Sequence, residues 1–243
     1  MNCHNGQEFL KESINSVYAQ SYKNWEIIFV DNMSNDNTAE IAKSYDNKLN
    51  YFRTSNFLSL YRARNFALKR CNGDLITFLD SDDMWYKNKL EIQVEVHRSG
   101  YEFSFGEYAT YDNINNQRIY VKIPNIKKIN TNFLISKNII SIGCVMVNSD
   151  LLKRNQFDPY YELLGDFDLW IRLSKITKIK KINQCLEISR LHKKNFSKLL
   201  KHRWLKERRY FYLKFLKDNN FIKYPNILLY ILICEIKGFF QIV

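Results

Sequence analysis

The 243-residue chain is predicted to fold as an α/β domain followed by a helical C-terminal appendage. Three observations carry this expectation: apolar strands that end in acidic turns, amphipathic helices between them, and a basic segment after residue 197 with apolar residues at helical spacing. Leu10 to Tyr18 recurs apolar at helical spacing, and Trp25 to Val30 reads as a strand. The polar run Asp31-Asn32-Met33-Ser34-Asn35-Asp36-Asn37-Thr38 is a turn before a helix from Ala39 to Tyr45. Ser34 and Asp36 are structural in this reading, because short polar side chains bond the free amides that start a helix. A further helix begins near Ser59 and carries Arg64 and Asn65. Leu75 to Leu79 is a buried apolar strand that delivers Asp80, Asp82 and Asp83 to its carboxyl end, where ligands collect in open α/β sheets. A helix from about Met84 to Arg98 follows. Trp170, with Leu169 and Leu173, reads as core.

Composition fits this plan. With 46% hydrophobic and 15% aromatic residues, seven Gly and three Pro, the chain buries a large core and has no long disordered linker. The length suits one domain over residues 1–197 and an appendage over 198–243. Cys3, Cys71, Cys144, Cys185 and Cys234 are odd in number, widely spaced and lack a C-x-x-C pair, so neither a disulfide framework nor a zinc site is indicated. No charged-then-apolar leader opens the chain, and a cytoplasmic location is expected.

The basic excess is concentrated in the appendage. Lys198 to Lys217 holds eight Lys or Arg against Glu207 alone, +7 of the formal +12. Leu200, Trp204, Phe211 and Phe215 fall near one face at helical spacing. Such a helix packs on the domain with its charges solvated, lies on an anionic membrane surface, or covers a nucleic-acid backbone. Tyr224 to Cys234 runs uncharged for eleven residues, well short of the roughly 20 that span a bilayer.

Asp80 and Asp82, two apart, can both approach one divalent cation, which prefers hard oxygen ligands and keeps phosphate oxygens in its shell. Asp82 or Asp83 would equally cap the helix that follows.

The ordered pieces SVYAQSYKNWEIIFVDNMSNDNT, RARNFAL, GDLITFLDSDD, GDFDLWIRL and SRLHKKNFS resemble the family 2 nucleotide-sugar glycosyltransferases of the GT-A fold, over roughly residues 1 to 197. The resemblance implies a Rossmann-like, mixed and mainly parallel sheet flanked by helices. It implies metal-dependent inverting transfer from a nucleotide diphosphate sugar, a UDP-sugar by expectation, to a bacterial surface glycan or lipid-linked acceptor. The cofactor is then Mn²⁺ or Mg²⁺, and the appendage would touch the cytoplasmic face of the inner membrane. No nucleic acid is expected, since a basic tail alone explains none of the acidic motifs.

Residue by residue, Asp80 and Asp82 match the DxD positions, Asp82 as metal ligand and Asp80 facing the ribose or sharing the metal. Asp83 is read as the cap of the following helix. Asp31 sits where an acid accepts a hydrogen bond from the nucleobase, with a turn carboxylate as its alternative. Arg64 would contact base or diphosphate, or form an internal ion pair. His4 lies where an aromatic stacks on the base. Asp166 matches the catalytic base, which takes the acceptor's proton and, with a reference pKa of about 3.9, is ionised at neutral pH without special tuning. Asp168 is a helix-start or ion-pair residue. His192 would complete the metal shell or touch the diphosphate, and Arg190 would neutralise phosphate charge.

Two departures from the family stand out. Gly165 replaces the usual Glu, and Met1 to Gly6 resembles only the turn after the family's first strand. Loss of that central strand should leave unpaired backbone and a gap in the core, in a truncated or mis-started chain or one where another segment replaces the strand. An inactive sugar-nucleotide-binding or interaction protein is the alternative that follows.

Overall fold

The structure is a computed structural model that describes residues 1–123, 129–200, 203–219, 224, 227 and 229–232. Its first part alternates strand and helix: β1 (Asn2–Cys3), α1 (Leu10–Tyr18), β2 (Ile27–Asp31), α2 (Thr38–Lys43), β3 (Leu49–Arg53), α3 (Leu60–Leu68) and β4 (Leu75–Ile76). Leu10, Ile14 and Val17 of α1 face inward at helical spacing. All of β2 is buried, which is why its sequence IIFVD shows no polar alternation. The chain continues with β5 (Met84–Trp85), α4 (Lys89–Arg98), β6 (Phe103–Asp112), β7 (Gln117–Val121) and α5 (Thr131–Ser136). A 3-10 turn (Ile142–Cys144), β8 (Val145–Asn148), α6 (Ser149–Arg154), α7 (Gly165–Leu173), β9 (Ile179–Leu191), α8 (Phe196–Leu199) and α9 (Arg203–Asp218) complete it.

The architecture is mixed α/β, as expected. β1, β2 and β3 form a parallel sheet, and a second sheet runs β4-β8-β6-β9-β5 with β7 beside β6. In the second sheet β6 and β9 are parallel and the other pairs antiparallel.

The helix expected from Met84 is corrected. Met84 and Trp85 pair with Ile188 and Glu187 of β9, and the helix starts only at Lys89. Long-range pairing overrides the local pattern, with the Trp85 indole donating to the Gly143 carbonyl at 3.0 Å. Asp83 therefore caps no helix, and its Oδ1 accepts the Arg190 amide at 2.7 Å.

The expected gap is visible. β1 keeps only two residues of parallel pairing, Asn2 with Val30 and Cys3 with Asp31. Met1 donates its terminal ammonium to the Ile28 carbonyl at 2.8 Å. Beyond it lies a cavity of about 680 Å³ lined by Met1, Ile28, Leu75, Phe78, Val94 and Met146, among others, between the two sheets. Among the described residues no strand fills this space. β4 is shorter than its apolar run because its pairing is with β8 alone.

α9 packs on the domain. Phe211, Tyr212 and Phe215 are buried in the same core cluster as Phe167, Leu169 and Trp170. Much of the stretch from Tyr224 to Cys234, Cys234 included, lies outside the described residues. Among the described residues no helix is long and apolar enough to cross a membrane.

Candidate active site

The turn Asn5-Gly6-Gln7 ties the first acidic cluster to the second. The Asn5, Gly6 and Gln7 amides donate to Ser34 Oγ, Thr38 Oγ1 and Asp36 Oδ2 at 2.9, 2.9 and 3.1 Å. Asp36 also accepts the Thr38 amide, the structural role expected of it. On the other side Gly6 abuts Ser81: a side chain there would run into Cys3 Sγ and sit 3.3 Å from Ser81 Oγ. Only a glycine admits this approach.

Asp31, at the end of β2, is enclosed and tied to its own chain. Its carboxylate accepts from the Ser34 amide at 2.7 Å, the Tyr51 hydroxyl at 2.6 Å and Arg53 at 3.0 Å. Burial pushes its pKa up, but these donors and the Arg53 charge outweigh that and hold it below the ordinary value. His4, exposed beside it, bonds the Asn32 carbonyl through Nδ1 at 2.9 Å and meets Phe57 edge to face.

The second cluster follows β4. Asp80 pairs with Arg64 at 2.7 Å, so Arg64 forms an internal ion pair. Asp82 Oδ2 meets His192 Nε2 at 2.8 Å and accepts from Asn195 Nδ2 at 3.4 Å. Burial, then the Asp80 charge, raises the Asp82 pKa, with His192 opposing. Arg190 is buried and occupied by protein: Nε donates to the Asp82 carbonyl, Nη1 to Asn113, and Nη2 pairs with Glu12. It holds the acidic loop in shape, which differs from the phosphate role expected of it.

Asp166 lies at the start of α7. Its Oδ1 accepts from the Tyr61 hydroxyl at 3.2 Å and the Phe167 amide at 2.7 Å. Burial raises its pKa; Arg64 and these two donors oppose the shift without cancelling it. The expectation of an untuned carboxylate is thereby corrected. Asp168 is buried and pairs with Arg172 at 2.8 Å, an ion-pair residue as expected.

α3 joins the two halves. Tyr61 and Arg64, three residues apart and so on one helix face, reach Asp166 and Asp80 respectively. Tyr61 was not among the expected site residues; its i, i+3 spacing from Arg64 was the available signal. Asn195 entered only as part of the SRLHKKNFS match, with no role of its own; Glu12, which meets Arg190 far along the chain, and Tyr51, which meets Asp31 from the next strand, were likewise not expected.

Among the described residues no three His, Cys, Asp or Glu side chains are grouped to hold a metal ion unaided. Asp80, partly exposed, and Asp82 offer hard carboxylate oxygens, with His192 already bonded to Asp82. That set fits an ion that takes its remaining ligands from substrate phosphate and water.

The mixed α/β fold is that of the GT-A glycosyltransferases. The profile of glycosyl transferase family 2 matches residues 1–154, and the chain belongs to this family. It is a glycosyltransferase. Over 185 residues, 75% of this chain and 71% of the relative, it is 35% identical to UDP-Glc:alpha-D-GlcNAc-diphosphoundecaprenol beta-1,3-glucosyltransferase WfgD of Escherichia coli. It is 31% identical over 224 residues, 88% of each chain, to the putative teichuronic acid biosynthesis glycosyltransferase TuaG of Bacillus subtilis. It spans only 34% of an uncharacterized Rickettsia conorii glycosyltransferase to which it is 32% identical. The crystal structure of S. aureus TarS 1-349 with UDP-GlcNAc shares the fold at a TM-score of 0.75 and 18% identity, covering 95% of this chain and 70% of that one.

Proposed function

We propose that this chain is a metal-dependent, inverting glycosyltransferase that moves a sugar from a nucleotide diphosphate donor, a UDP-sugar, to a bacterial surface glycan or lipid-linked acceptor. The observation that carries this reading is the α3 bridge: Arg64 on Asp80 and Tyr61 on Asp166 set a donor-side and an acceptor-side carboxylate around one helix face. The UDP-GlcNAc complex of TarS and the lipid-linked acceptor in the name of WfgD support the substrate classes. A Mn²⁺ complex of a Pyrobaculum calidifontis mannosyltransferase of the same fold, TM-score 0.66, supports the cation.

In this reading His4 and Asp31 stand at the nucleobase end, Asp80 faces the ribose, and Asp80, Asp82 and His192 stand by the diphosphate. The cation, when bound there, would offset the charge that builds on the leaving diphosphate. Arg64 adds a fixed positive charge next to Asp80. Asp166 takes the proton of the attacking hydroxyl, and its raised pKa makes the ionised carboxylate a stronger base than a solvated one. The appendage contributes contact with the inner face of the membrane, where lipid-linked acceptors lie.

The test is donor hydrolysis and transfer with UDP-sugars in the presence and absence of Mn²⁺. Metal-dependent turnover supports the reading; tight UDP binding without turnover on any donor or acceptor leaves only a sugar-nucleotide-binding protein.

A further inference from the structure

Glu207 is an acid in a basic helix, buried at 4% exposure, and its neighbours Lys206 and Arg208 are both exposed. Its carboxylate turns away from solvent into a backbone pocket. Oε1 accepts the Glu162 amide at 2.9 Å, and Oε2 accepts the Leu163 and Leu164 amides, both at 3.0 Å. These three successive amides lead into α7. A helix start leaves its first donors without intrahelical partners; the Leu164 amide, at the N-cap of α7, is one of them, and Leu164 has no side-chain cap of its own, while the Glu162 and Leu163 amides belong to the turn just before it. Successive backbone amides form a concave anion site. Here the anion comes from a helix more than forty positions later in the chain.

The same loop is held from its other side. The single hydroxyl proton of Tyr61 is shared between Asp166 Oδ1 at 3.2 Å and the Leu163 carbonyl at 3.1 Å. Three ion pairs latch α9 around it: Arg203 with Glu162, and Lys214 with Asp158 at 2.6 Å and with Asp168 at 3.5 Å. Asp166 is the second residue of α7, so the angle at which residues 162–164 enter the helix sets where its carboxylate points.

We infer that Glu207 is a positioning residue for Asp166: by capping the amides of residues 162–164 it fixes the start of α7, and with it the base, from the C-terminal helix. This rests on the reading of Asp166 as the base. The basic appendage is then part of the catalytic apparatus rather than a separable attachment.

The test compares full-length Glu207→Gln, Glu207→Ala and Asp166→Asn with the parent, using hydrolysis of UDP-glucose and UDP-GlcNAc with Mn²⁺, UDP affinity, and amide exchange. With Glu207→Gln, kcat should fall about 10- to 100-fold, as expected when a reacting group is displaced by about an ångström, while KM and UDP affinity stay within about twofold. Exchange at residues 162–164 should quicken while the middle of α9 stays protected. Unchanged kcat and exchange would overturn the inference, as would global unfolding of both Glu207 variants, which would assign the residue to stability alone. If Asp166→Asn is slow but Glu207→Gln is not, the positioning role fails and the base stands. If Asp166→Asn is as fast as the parent, the base reading itself fails. Should neither donor turn over, the exchange pattern decides for or against the cap.

Discussion

The ring of Tyr61 fills the space that a side chain on residue 165 would need. A Cβ built on Gly165 would lie 2.6 Å from two ring carbons of Tyr61. The glycine that stands where the family has Glu is thus matched to a buried tyrosine whose hydroxyl serves Asp166. Gly165→Ala should therefore destabilise the fold by about 1–3 kcal/mol, the usual cost of overpacking, despite a helix-propensity gain of up to about 1 kcal/mol. In a Tyr61→Leu background the same change should be neutral or favourable. Chemical denaturation of the four proteins measures the coupling, and additive effects would refute the shared space.

Local pattern made much of this legible. α1 lies where periodicity placed it and α7 where the family resemblance did, and the apolar face of each meets the core along one stripe. Met84 and Trp85 were misread because two residues carry no periodicity, and their strand exists only through Ile188 and Glu187 of β9. The acidic loops were visible after their strands, yet what holds them was not. The Tyr61–Asp166 and Arg190–Asp83 contacts span more than a hundred residues and leave no local trace.

The raised pKa of Asp166 has a directional consequence for rate. Only the ionised carboxylate can accept a proton, so kcat should climb with pH along an acid limb placed above that of a solvated aspartate. The Tyr61 hydroxyl donates to the carboxylate and favours its charged form. Tyr61→Phe should move the limb to still higher pH and change the plateau less than the limb. For stability the sign is opposite: a carboxyl whose folded pKa is raised stabilises below its unfolded value of about 3.9, and that contribution is lost as pH rises through the folded one. A kcat profile of Tyr61→Phe that overlays the parent, or moves toward acid, contradicts the assignment.

The donor-side carboxylates should separate by role. Asp82→Ala is expected to abolish Mn²⁺-dependent UDP binding, since it removes the proposed ligand itself. His192 touches Asp82 at 2.8 Å. His192→Ala should weaken apparent Mn²⁺ affinity by roughly 10- to 100-fold, the usual cost of losing a group that orients a ligand or joins the shell. Calorimetric titration of UDP with and without Mn²⁺ measures both. Metal-dependent binding in Asp82→Ala at parental strength would remove Asp82 from the site.

Membrane contact can be separated from catalysis by charge. Lys206 and Arg208, which flank the buried Glu207 in sequence, and Lys217 are exposed on α9. Reversing the three to Glu should release the protein from anionic vesicles, with binding of the parent weakening as salt rises because the attraction is screened. UDP affinity should not change. A parent chain that ignores such vesicles at low salt would remove the membrane proposal and leave α9 with its internal role.

The cavity between β2 and β4 sets the last expectation. About 680 Å³ of largely apolar lining lies empty of described protein, and the Met1 ammonium is buried at its edge, where burial lowers its pKa. Val30 donates to the Met1 carbonyl and Met1 to the Ile28 carbonyl, so the parallel ladder already points into the space. An apolar segment of about five residues joined ahead of Met1 would continue that ladder, bury two or three side chains and replace the buried charge with a peptide bond. At roughly 1.5–3 kcal/mol for each buried side chain and about 2–4 °C per kcal/mol in a domain of this size, Tm should rise on the order of 10 °C. A Ser/Gly extension of equal length should give little. If the two extensions shift Tm equally, the gain lies outside the cavity and the space is not a strand slot.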